Sequence, residues 1–175
     1  RDRLRSRGLG DVYKRQVDIC ESFIVIASFV LGWLYQLNNK YIIGLNDVLS
    51  DRLKYIAQTM STYNIKLWGQ YIEEHGNGGS IIAKDNYFFI DNSFVRCMYE
   101  YGAIVFVLVI VLIFMAQKKM LDNEKYIMCL AFFIVTIASF AEHHLLEIAY
   151  NPFIFSVFAC MSNNDKVIME EKRIC

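Results

Sequence analysis

The chain lacks a charge bias. Its 18 Lys and Arg balance 18 Asp and Glu, so nothing in the electrostatics implies nucleic acid or an acidic partner. Cysteine occurs five times, an odd count with no CxxC pair, which indicates neither a disulfide framework nor a zinc site. Cys20, Cys97, Cys129 and Cys160 lie in or beside apolar runs, where a free thiol packs as a small hydrophobe. The glycine-rich stretch His75 to Ser80 has no Lys-Ser/Thr after it. It is therefore a flexible connector and not a phosphate loop.

Apolar residues are abundant. They make up 55% of the 175 residues, aromatic residues make up 15%, and the mean hydropathy is +0.29. Such a chain is too apolar for an average soluble domain. The residues are also concentrated in runs. A hydrocarbon layer about 30 Å thick needs roughly 20 mainly apolar residues in a helix, and 94–116 supplies them with only Arg96 and Glu100 charged near its start. Further spans are expected over 20–37, 126–144 and 145–161, the first and second reaching full length by borrowing polar and aromatic flanks. The segment 38–93 is too polar to lie in lipid. The expected fold is an all-α, polytopic membrane helix bundle with one large extracytoplasmic loop containing an amphipathic helix.

Residues 1–16 are basic, and their sparse Leu4, Leu9 and Val12 follow no helical or strand period. The apolar run after them shows no small-residue cleavage site, so they do not form a signal peptide. RDRLRSRGLGDVYKRQ resembles a translated adapter sequence. It is set aside as a non-native leader, and 17–175 is expected to be the C-terminal fragment of one membrane domain. Trp33 and Tyr35 near the end of the first span suit the membrane-water boundary. Lys118, Lys119 and Lys125 in the linker after 94–116, with Lys166, Lys172 and Arg173 in the tail 162–175, place both in the cytoplasm. The long loop 38–93 then lies outside.

Within that loop, Asn46 or Asp47 can cap a following helix. Leu49, Leu53, Ile56 and Met60 recur at helical steps and form one stripe. At 100° per residue, Arg52 borders this stripe and Lys54 faces water. The helix is expected to end near Tyr63 and Asn64, with Trp68 and Gly69 turning the chain back. Further on, Asn92 or Ser93 caps the next helix. Asp91 then sits at the positive end of a helix dipole, which favours its ionised form. Arg96 is at the unfavourable end and needs an anionic partner. Glu100, one turn along, is the expected one.

Three stretches carry a resemblance: DRLKYIAQTMSTYNIKLWGQ, DNSFVRCMYEYGAIVFVLVIVLIF and AEHHLLEIAYNPFIFSVF. Taken in this order, they resemble the C-terminal part of bacterial polysaccharide polymerases, the Wzy-like members of the O-antigen polymerase and ligase superfamily. The resemblance covers Asn46 to Ala159. Arg52 matches the arginine opening the outer-loop helix of such proteins. Asp91 matches the polar position before the next span, where ligases typically carry a histidine, and the absence of that histidine here tilts the reading from ligase to polymerase. Glu142 and Asn151-Pro152 match a further acidic and Asn-Pro pattern.

The resemblance implies glycosyl transfer from a polyprenyl-diphosphate-linked glycan to a hydroxyl of another lipid-linked repeat unit, at the outer face of the bacterial cytoplasmic membrane. Arg52 is expected on the diphosphate, helped by Arg96. Asp91 or Glu142 would position or deprotonate the acceptor hydroxyl, with His143 beside the substrate. A diphosphate already leaves well, so the site needs mainly charge stabilisation and alignment, and arginine suits phosphate oxygens. No cofactor and no metal are expected, although His144 and Glu147 stand one turn apart. Membrane lipid and other polysaccharide-assembly proteins are the implied partners. Each residue also has a plainer role: Arg52 could snorkel to headgroups, Asp91 could mark a helix start, and Asn151-Pro152 could cap a helix. A lipid-linked glycan transporter or flippase subunit, an O-antigen ligase, or an assembly subunit without ligand stay open as alternatives.

Overall fold

The computed structural model describes residues 2–75, 87–123, 125–147 and 151, with side chains from residue 19 onward. Most of the fourth expected span, the tail and the connector after His75 lie outside these residues. Among the described residues the chain is all-helical. In order come α1 (Asp2–Gln36), α2 (Lys40–Val48), α3 (Arg52–Thr62), α4 (Ser93–Arg96), a π-helical turn (Cys97–Tyr101), α5 (Ala103–Asp122), α6 (Tyr126–Ala138) and a 3-10 turn (His144–Leu146). A single antiparallel bridge joins His75 to Phe88.

Two of the helices are long and apolar enough to cross a membrane. They are Ile19–Gln36 within α1 and Ala103–Asp122, with mean hydropathies of 1.6 and 2.3. The helix containing the first span begins at Asp2 and not near residue 20, because an established helix gains one bond for each residue added, whatever its side-chain pattern.

The span expected over 94–116 is not one helix. It breaks at Gly102, whose backbone (φ 98°, ψ 164°) is essentially closed to other residues. The Gly102 N–H donates to the Cys97 carbonyl and closes the π turn. The N–H groups of Ala103 and Ile104 donate to the carbonyls of Lys66 and Leu67, so a distant loop caps α5. Gly69, also at positive φ, faces Gly102, and a Cβ on either residue would collide with the other strand's backbone. The helix restarts at Ala103 and runs to Asp122. The span expected over 126–144 is shorter as well. α6 ends at Ala138, where Ser139 Oγ donates back to the Val135 carbonyl at 2.8 Å and the carbonyls of Ser139 and Phe140 accept from Ser93 N and Asn92 Nδ2. Thirteen residues rise about 20 Å, short of the hydrocarbon layer.

The long helices are antiparallel neighbours. The rings of Phe29 and Phe106 meet edge to face at 5.7 Å near one end of α1 and α5, and Gln117 donates to Glu21 near the other. α6 runs parallel to α1. Cys129 lies beside Gln117 at its start, and Phe140, just past its end, shares the Asn92 amide with Ser28. On α5 the buried residues Val109, Ile113, Ala116 and Met120 form one stripe, yet Val107, Leu108, Val111 and Met115 on other faces are exposed. On α1, Glu21 and Ser28 point inward beside Ile24, Val25 and Phe29, while Phe23, Ile26, Val30 and Trp33 point outward.

Segments α2 and α3 form the amphipathic part of the loop. Leu53, Ile56 and Thr59 of α3 are buried, Leu49 and Met60 pack beside them, and Lys54 is exposed. α3 crosses α1 at Gly32, where the absent side chain lets Ile56 and Met60 approach, and Gln36 Nε2 donates to the Ala57 carbonyl at 2.8 Å.

Candidate functional site: an arginine between two carboxylates

Arg52 is the first residue of α3. It is reached through a sharp turn in which Ser50 and Asp51 both have positive φ. Asp51 occupies the cap position but makes no side-chain cap bond. Asn46 substitutes from the last turn of α2. Its Oδ1 accepts from Lys54 N at 3.0 Å, and its Nδ2 donates to Asp51 Oδ1 at 2.8 Å. This residue is the cap that the sequence offered, acting across an intervening turn.

The turn holds Arg52 between two acids. Nη2 lies 2.9 Å from Glu142 Oε1, and Nε lies 3.6 Å from Asp91 Oδ2. Asp91 and Glu142 are themselves brought together by Asn92 and Ser93. Asn92 Oδ1 accepts from Phe94 N and Val95 N as a helix cap, and its Nδ2 donates to Ser28 Oγ at 3.0 Å and to the Phe140 carbonyl at 2.8 Å. Ser93 Oγ donates to the Glu142 carbonyl and accepts from Leu145 N. Both residues are buried. Asn151 continues the network, with Nδ2 donating to the Leu145 carbonyl at 2.8 Å. The three residues expected to carry chemistry therefore meet at one place.

The site pushes Asp91 the opposite way from the favouring of its ionised form expected at a helix start. Its pKa is raised, first by burial, with Arg52 pulling it down and Glu142 pushing it up.

Arg96 and His143 line a second space. A cavity of about 60 Å³ is bounded by Ser93, Arg96, Tyr101, His143, Leu146 and Glu147, room for about two waters at roughly 30 Å³ each. Phe89 organises it, with the Arg96 guanidinium 4.8 Å from its ring centroid and the His143 ring edge to face at 5.1 Å. Arg96 Nε also donates to the Ile90 carbonyl at 3.1 Å. The expected partner Glu100 is 3.7 Å away, but Glu74 makes the shorter ion pair. Glu74 lies 22 residues from Arg96, and no local spacing could have pointed to it.

The histidines share one acid. His143 Nε2 is 3.1 Å from Glu147 Oε1, and His144 Nδ1 is 3.3 Å from Glu147 Oε2. Donor atoms of Glu142, His143 and His144 also lie within 4.8 Å of one another, compact enough for a divalent cation. All three residues already face partners, because Glu142 is paired with Arg52, and His143 and His144 with Glu147. Among the described residues, an all-helical fold with two membrane-length helices and an arginine-carboxylate cluster is the class these features define. No family model, curated protein or solved structure matches the chain.

Proposed function

We propose that the chain is part of a multi-pass protein of the bacterial cytoplasmic membrane that polymerises polyprenyl-diphosphate-linked repeat units into a surface polysaccharide. The observation that carries this reading is the convergence of Arg52, Asp91 and Glu142 beside a cavity lined by Arg96 and His143. In the transfer, the bond between the donor's anomeric carbon and the diphosphate oxygen breaks, and its electron pair leaves with the diphosphate. The acceptor hydroxyl oxygen bonds to that carbon, and its proton passes to a carboxylate.

Arg52 meets the departing diphosphate with a planar fork. Its contact to Asp91, the longer of the two, is the one that yields. The diphosphate then takes the place of Asp91 on the guanidinium and frees that carboxylate. A carboxylate whose pKa is raised by burial is a better base toward a hydroxyl than one in water. Glu142 keeps Arg52 oriented. Arg96 supplies the second positive charge, and His143 lines the acceptor side.

The test uses the full-length protein in cells. Arg52→Lys keeps the charge and loses the fork; Arg52→Ala loses both. Both variants, correctly inserted, should leave single repeat units on the lipid carrier at the outer face. Normal chain length in Arg52→Ala refutes the assignment. Repeat units stranded on the inner face would identify a transporter, and long polymer retained on the carrier a ligase.

A further inference from the structure

We infer that the loop 65–71 and Trp33 form one interfacial collar, seated in the headgroup layer of a phospholipid bilayer, that sets the Asp91-Asn92 turn just beneath that layer. This rests on the membrane part of the reading above and not on glycosyl transfer.

The argument starts from register. Phe29 of α1 touches Phe106 of α5, and the helices are antiparallel. Trp33 lies four residues beyond Phe29, about 6 Å along α1, and Gly102 lies four residues before Phe106, about 6 Å along α5 in the same direction. The two positions are therefore level. Trp68 belongs to the same level, because a Cβ on Gly102 would stand 2.8 Å from the Trp68 carbonyl carbon. These are the only two tryptophans in the chain, and they come from segments that share no local sequence pattern.

Both rings face outward. Trp68 is 84% exposed, Tyr71 86% and Trp33 52%. Leu67 is also exposed in the loop, and Lys66 stands next to it. A rigid amphipathic ring beside a cation suits anionic headgroups better than either water or hydrocarbon. The loop is fixed in place by backbone hydrogen bonds from Ala103 and Ile104 to Lys66 and Leu67, and from Gln70 N to the Glu100 carbonyl. Below this level, the outward faces of α5 and α1 carry Leu108, Val111, Phe23 and Ile26. Bilayer lipid is the occupant that fits a polar-aromatic rim above a continuous apolar face.

The level fixes the depth of the charged cluster. Asn92 is held to Ser28 at 3.0 Å, and Ser28 is five residues, or about 7 Å, below Trp33 on α1. The Asp91-Asn92 turn thus reaches the boundary where headgroups end and chains begin. The first phosphate of a prenyl diphosphate whose chain lies in the bilayer sits at that depth.

Single-tryptophan variants test this in the whole chain, reconstituted in vesicles of phosphatidylethanolamine and phosphatidylglycerol. Trp33→Tyr reports Trp68, and Trp68→Tyr reports Trp33. Each ring should lose more emission to lipids brominated near the glycerol end than to lipids brominated near the chain terminus, and the depth profiles should coincide. Emission from Trp68 that is quenched by aqueous iodide and untouched by brominated lipid overturns the collar, as do two different depths. If a variant does not insert, wild-type chain labelled with 5-fluorotryptophan gives the same comparison through two fluorine resonances and a headgroup-borne paramagnetic lipid. Equal broadening supports the shared level, and unequal broadening rejects it. None of these signals depends on sugar transfer, so either proposal can fail alone.

Discussion

The Arg52 guanidinium lies 2.9 Å from the carboxylate of Glu142, a residue 90 positions further along the chain. Both side chains are about a third or more exposed, so the pair is worth modest energy and its value is positional. A double-mutant cycle with Arg52→Gln and Glu142→Gln should return a coupling of about 1 kcal/mol in thermal unfolding. Strictly additive variants would show that the contact is not formed in solution.

Asp91 gives a pH signature. Its folded pKa is raised by burial, with Arg52 opposing and Glu142, His143 and Arg96 as the other facing charges. Folding therefore favours its neutral form relative to the unfolded chain. The contribution to stability is complete below the unfolded aspartate value of about 3.9 and is lost as pH rises through the higher folded value. Asp91→Asn should flatten that part of the profile of melting temperature against pH. An unchanged slope in the variant would contradict the burial argument.

The two facing glycines predict opposite outcomes from a third. Gly102→Ala and Gly69→Ala each put a Cβ into backbone at positive φ and should cost at least about 1–3 kcal/mol, seen as a lowered melting temperature. Gly44 lies inside α2 with nothing near its would-be Cβ. Gly44→Ala should stabilise by roughly 1 kcal/mol. The same sign for all three would discredit the loop-to-helix junction.

Asn92 uses both ends of its amide. Asn92→Asp keeps the acceptor for Phe94 N and Val95 N but loses both donations and adds a buried charge. It should cost about 2 kcal/mol or more, exceeding Ser28→Ala, which removes one of those partners. The Phe94 and Val95 amides should stay protected from hydrogen exchange in both variants, since Asn92→Asp keeps their acceptor and Ser28→Ala does not touch it; Asn92→Ala, which removes the acceptor, should expose them.

What could be read in advance was local. The stripe Leu53, Ile56 and Met60, the water-facing Lys54, the helix end at Tyr63 and the Asn92 cap all follow from neighbours within a turn or two. The break at Gly102 was hidden in an apolar run, because its cause is the backbone of Lys66 and Leu67, more than thirty residues upstream. The first span was read from its apolar residues and their flanks, and that reading did not show that Glu21 and Ser28 turn inward. Burial decides that face, and periodicity over apolar residues alone does not register it. For the charged cluster, residue types could be chosen from their chemistry. The pairing of Arg96 with Glu74 depends on where the loop folds, and nothing near either residue encodes it.

The single amide of Asn92 ties α1 at Ser28 to the chain leaving α6 at Phe140, with Asp91 on one flank and Ser93, anchoring Glu142, on the other. The gap between the two acids therefore behaves as a fixed jaw. An incoming molecule cannot widen it by spreading the helices without tearing that knot. Accommodation falls to the one long, rotatable side chain between them, which hangs from a different segment and can release Asp91 while it stays hinged on Glu142 and the frame stays shut.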